Sequence, residues 1–66
     1  MSVAKIIELS AISPSSFEDA IREAIAKSGE SLRNIQGAWV KEQKVLLDNG
    51  EISGFQVVLS VTFVVD

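Results

Sequence analysis

The residues that could do chemistry are few, and the most conspicuous is Trp39 in the stretch NIQGAWVKEQ. It is the only tryptophan of a 66-residue chain that has no tyrosine and three phenylalanines. An indole on a strand serves either as a hydrophobic anchor or as a flat face on which another ring stacks with an offset. Such stacking is worth about 0.5–1.5 kcal/mol beyond burial. The sequence has no histidine and no cysteine, so zinc-finger spacings and Cys–His nucleophiles are both excluded. Ser13, Ser15 and Ser16 stand near no base in any motif, and helix capping accounts for them. Glu18, Asp19 and Glu23 fall on the exposed side of a predicted helix rather than in a pocket, so paired-carboxylate catalysis is not supported. Asp48 and Glu51 flank a turn. Two carboxylates fall short of the oxygen cage calcium takes, so turn solubility explains them better than a metal held within an assembly. The chain reads as a non-enzyme.

Composition narrows the partners. Six basic and nine acidic residues give a net charge of −3. No basic patch is available for a phosphate backbone, which excludes nucleic acid as the expected ligand. The opening MSVAKIIELS lacks the apolar run of a signal peptide, and no run approaches the ~20 residues of a membrane span. A cytoplasmic location is expected, and the lack of cysteine agrees with a reducing compartment. Residues 1–66 are expected to form one domain. A domain of this size buries only about 60% of its unfolded surface. It usually needs a staple, and with no disulfide available the remaining candidate is self-association.

Periodicity gives the elements. VAKIIELS places Val3, Ile7 and Leu9 on one face of a first strand. AISPSSFED then changes the period. Pro14 suits a first helical turn, and either Ser13 or Ser15 can cap it, with Glu18 completing a capping box. Phe17, Ala20, Ile21, Ala24, Ile25 and Ser28 recur at helical spacing and form a narrow apolar stripe. Glu18–Arg22 and Glu23–Lys27 are i,i+4 pairs on the outer face, and Gly29 is the expected C′ stop. Leu32 is expected to pack the following turn under the sheet.

Two long strands, IQGAWVKEQKVLLD and ISGFQVVLSVTFVVD, flank NGE. Asn49-Gly50 between apolar runs is a strong signal for a two-residue hairpin. The unbroken register sets Asp48 opposite Glu51, Gln43 opposite Gln56, Trp39 opposite Ser60 and Gly37 opposite Thr62. A bulge at Gly54 would shift it. The last strand is apolar on both faces and is expected to be central. The fold class is therefore α+β, with order β-α-β-β and a three-stranded antiparallel sheet on one amphipathic helix. The helix is expected to cover the face with Phe55, Val57, Leu59, Val61, Phe63 and Val65. The other face, with Gly37, Trp39, Lys41, Gln43 and Val45 opposite Gln56, Val58, Ser60, Thr62 and Val64, has no cover in this chain. Trp39, Val45, Val58 and Val64 would form an apolar patch there, and a second copy across a two-fold axis would cover it.

With these elements in place, the chain resembles the dodecins, small flavin-binding proteins of bacteria and archaea. KIIELSAISPSSFEDAIREAIAKSGESLRNI is similar to the family's first strand, helix start and helix-to-strand passage, and VKEQ and GFQVVLSVTF to its second and third strands. The resemblance implies a hollow homododecamer that stores flavin (FMN or riboflavin) without catalysing a reaction. It implies flavins paired at two-fold axes, stacked on tryptophans, with a strand glutamine bonded to the ring's polar edge. That glutamine corresponds to Gln56, whose amide both donates and accepts. The family's stacking tryptophan falls on Gly37, and Trp39 lies two residues on, about 6.7 Å along the same face. Either Trp39 is a displaced stacking platform with Gly37 leaving room, or the flavin site is lost and the indole fills it. Glu42 corresponds to an acidic position near the flavin side chain, although a solvated strand charge explains it as well. Lys44 lies close to a basic position that meets phosphate in some relatives. Their second basic position falls on Val64, so a two-cation phosphate pocket does not carry over. The alternative implied function is a dodecin-like cage without flavin, structural or holding another ligand such as calcium.

Overall fold

A computed structural model describes residues 3–65. Four elements follow in the order β1 (Val3–Ser13), α1 (Phe17–Gly29), β2 (Ile35–Asp48) and β3 (Glu51–Val65). The strands form one antiparallel sheet in the order β1-β3-β2, so the strand that is apolar on both faces is central, as expected. Asp66, expected at the end of that strand, lies outside the described residues.

The hairpin forms where the sequence places it. Asn49 and Gly50 have φ of 52° and 79°, and the mirror-image turn they make matches the twist of the flanking strands. Asp48 pairs with Glu51, Trp39 with Ser60 and Gly37 with Thr62. Between these points the register departs from the unbroken expectation. Ser53 is an extra residue on β3, next to the expected Gly54, and Lys41 and Gln36 are extra residues on β2. The Ser53 and Lys41 bulges cancel in register. Between them the pairs shift by one, so Gln43 faces Val57 rather than Gln56, and Lys44 faces Gln56.

The start of the helix is also corrected. Ser16, not Ser13 or Ser15, is the N-cap, and its Oγ accepts from the Asp19 N–H at 3.0 Å. Pro14 precedes the cap instead of sitting in the first turn, and Glu18 completes no capping box. Ser13 has a different task. Its fully buried Oγ donates to Asp19 Oδ2 at 2.8 Å and accepts from the Ser15 N–H at 2.9 Å, tying the end of β1 to the helix. At the other end Gly29 is the last helical residue, and Glu30, in the right-handed region, is the C-cap. The chain leaves through tight turns in which the Ser31 and Leu32 N–H groups bond the Ser28 carbonyl. The left-handed residue is Asn34, with φ 60°, just before β2. Glu18 pairs with Arg22 as expected, whereas Lys27 pairs with Glu30 at 3.7 Å instead of Glu23.

Ala20 and Ala24 bury their small side chains against Val57, Leu59 and Val61, which lets the helix approach the sheet closely. Phe17 meets Phe55 edge to face at 5.1 Å, and Leu32 packs against the same core. The helix packs on β1 and β3. Thirteen residues make a helix of about 20 Å, while the molecule is 51 Å long. The sheet therefore extends beyond its only cover. On the helix side of β2, Val40 and Val45 each remain 39% exposed.

Candidate functional site

The face of the sheet turned away from the helix is built in cross-strand rungs. β1 and β3 pair without interruption from Val3–Val65 to Ser13–Phe55. Because side chains alternate across a strand, Ile6, Glu8, Ser10 and Ile12 join Thr62, Ser60, Val58 and Gln56 on this open face. The Lys41 bulge decides what β2 adds. It sets Glu42 opposite Val58 and Lys44 opposite Gln56, on the same face as Trp39 and Gly37. In an unbroken strand, Trp39 and Glu42 would lie on opposite faces. The five residues implicated by sequence, Gly37, Trp39, Glu42, Lys44 and Gln56, are thereby brought to one surface. Gln43 and Val45, expected on it, instead face Val57 and Phe55 on the helix side.

Trp39 is 80% exposed, and its cross-strand neighbour Ser60 is small. A Cβ added at Gly37 would meet nothing within 4 Å, so the indole overlooks open space on the next rung. The rungs are unequal in charge. From Trp39 toward the hairpin come Lys41, Glu42 and Lys44. In the other direction lie Gly37, Thr62 and Ile6, which carry none. Ser60 and Gln56 are four positions apart on β3, about 13 Å along the strand. Trp39 and Gln56 of one chain therefore bracket a surface rather than touch at a point.

Sequence reasoning missed the contribution of β1. Ile6 and Ile12 add exposed apolar surface, 64% and 54% exposed, where Val45 had been expected to. Glu8 reaches across the central strand, and its Oε2 accepts from Lys41 Nζ at 2.7 Å. Glu8, Ser60 and Trp39 occupy one rung, so this ion pair forms a strap beside the indole. The hydrogen bond to Glu8, and then its charge, hold the Lys41 ammonium above the ordinary lysine value. The alternation of Ile6, Glu8, Ser10 and Ile12 with Ile7, Leu9 and Ala11 was the available signal.

Among the described residues no three acidic side chains lie close enough together to hold an ion. Asp48 and Glu51 face each other beside the hairpin turn and are exposed. A groove of about 390 Å³ runs between β1 and the helix, lined in part by Leu9, Glu23 and Lys27. It lies at the opposite edge of the sheet from β2 and contains none of the implicated residues. No helix among the described residues is long and apolar enough to cross a membrane.

Fold and site together define a small β-α-β-β protein whose sheet has a helix on one side and an uncovered aromatic, hydrogen-bonding face on the other. Comparison with known proteins gives the family. The Dodecin family model matches residues 3–66. Calcium dodecin of Mycobacterium tuberculosis is 35% identical over 63 residues, covering 96% of this chain and 89% of its own length. A crystal structure of an arginine-to-alanine mutant of T. thermophilus dodecin matches with a TM-score of 0.93 at 32% identity, over 100% of this chain and 97% of that one. The crystal structure of the M. tuberculosis calcium dodecin, described as having a novel calcium-binding site, matches at 0.83 with 36% identity, over 94% and 89% of the two chains. The chain belongs to the dodecin family.

Proposed function

We propose that this protein binds and stores a flavin, FMN or riboflavin, without catalysis, in a closed assembly of its own copies. The observation that carries the reading is the Lys41 bulge, which gathers Gly37, Trp39, Glu42, Lys44 and Gln56 on one uncovered face. Trp39 supplies a flat stacking surface, and Gly37 leaves room beside it. Gln56 supplies an amide for the polar edge of the ring. The indole's rung at Ser60 lies four positions of β3 from Gln56, closer than a ring at Gly37, opposite Thr62, would be. Because about 13 Å still separates the two, a flavin held by both is best served by two copies meeting across a two-fold axis. Self-association also covers Ile6, Ile12 and Trp39, which water otherwise meets. Twelve copies are the number the family resemblance implies.

Titration of riboflavin and FMN with the purified protein, followed by flavin fluorescence, tests this. Stoichiometric quenching is expected, and Trp39→Phe should weaken binding by about tenfold, the scale of losing a good part of an offset stack. Unquenched fluorescence with both proteins would overturn the reading and leave Trp39 as a packing residue.

A second reading is favoured by the similarity to calcium dodecin. No single chain gathers three acidic ligands among its described residues, so calcium would need carboxylates from neighbouring copies, with Asp48 and Glu51 as candidates. Dialysis against a chelator, followed by sedimentation, tests it. A calcium-held cage falls to smaller species and recovers on adding the ion, whereas a cage held by its sheet faces keeps its size.

A further inference from the structure

Resting on the flavin reading, we propose that the Glu8–Lys41 ion pair sets the charge selectivity of the open face, favouring a flavin with an uncharged side chain over one ending in phosphate. Four ionisable side chains stand around the indole and Gln56 on this face, Glu8, Lys41, Glu42 and Lys44, and the alternation of β2 carries Asp48, with its partner Glu51, onto the same face at the hairpin end. The first four are two anions and two cations and cancel, and the hairpin pair adds two more negative charges, on a chain whose net charge is −3. Lys41 is the ammonium nearest the indole in sequence, and it bonds Glu8 at 2.7 Å. The residues of this pair come from β1 and β2, which flank the central strand. The pair therefore crosses the sheet at the Ser60 rung, where Trp39 also stands.

An ammonium already held by a carboxylate offers little to a second anion. A phosphate arriving at this face meets no net positive charge and the negative field of the chain. Riboflavin and FMN share one ring system and differ by the terminal phosphate, so stacking on Trp39 and bonding to Gln56 are common to both. The ratio of their dissociation constants isolates the charge effect. Both partners of the strap are about half exposed, 48% for Lys41 and 54% for Glu8, and both lie outside the buried core. Their replacement leaves the packing intact.

The test measures both dissociation constants by flavin quenching in the native protein, Glu8→Gln and Lys41→Gln. The native protein should bind riboflavin more tightly than FMN. Glu8→Gln releases the ammonium and adds one positive charge to the face, so the preference should move toward FMN by about fivefold, the scale of one exposed charge pair. Lys41→Gln should move it by a similar factor toward riboflavin. Opposite signs are the signature of a charge effect, because a merely structural role would weaken both flavins alike in both variants. Ratios unchanged within twofold, or moved in the same direction, overturn the inference and leave flavin binding standing. If the native protein quenches neither flavin, the flavin reading falls and the selectivity proposal falls with it.

Discussion

At the scale of single residues, Ser13 shows how a small polar side chain can hold two elements together. It is fully buried, donates to Asp19 and accepts from the Ser15 N–H. Removing its hydroxyl leaves a backbone donor and a carboxylate short of partners, a loss of about 1–3 kcal/mol. Ser13→Ala should therefore lower the midpoint of thermal unfolding by several degrees. An unchanged midpoint would mean that water replaces both bonds at no cost. The sequence pointed to serine capping, but not to this division of labour. The three serines of the SPSS segment offer several interchangeable local patterns, and only the docking of β1 on the helix selects Ser16 as cap and Ser13 as tether. Trp39 was more legible. Its partner Ser60 and its face were both predicted, because the two bulges between it and the hairpin cancel.

At the scale of elements, the hairpin was readable because its cause is local. Gly50 adopts φ 79°, where a Cβ is disfavoured by about 1–2 kcal/mol. Nothing lies within 4 Å of a Cβ added there, so backbone strain is the whole of the effect. Gly50→Ala should cost about 1 kcal/mol in urea unfolding, with no change in the slope of the transition. A change in slope would point to a slipped register instead. The helix stripe was equally readable, and Ala20, Ala24 and Ser28 are its buried rows. The bulges were not. Gly54 marked the neighbourhood of one of them, but Lys41 carries no signature, since a bulge is a relation between two strands and not a property of one.

For the whole molecule, what matters is surface left without cover. The helix reaches neither the open face nor the flank of β2, and in a chain without disulfides both surfaces call for other copies. Val58 lies half-buried on the open face, away from the helix-side core. Val58→Asp places a carboxylate where a second copy would have to desolvate it. Sedimentation should show a smaller species than the native protein at the same concentration. A particle of unchanged size would show that this face is not a contact between copies.

The sequence alone determined the order of the elements, the turn at Asn49-Gly50, the buried stripe of the helix and the absence of histidine and cysteine chemistry. Each depends on spacing within a short segment or on composition, and both survive without knowledge of the neighbours. Only the tertiary structure decided that Glu42 and Lys44 share a face with Trp39, that Gln43 and Val45 do not, and that Glu8 meets Lys41 from 33 positions away. The physical reason is the two-residue period of a strand. One inserted residue exchanges the faces of everything beyond it, and where that residue sits is settled by pairing with the central strand.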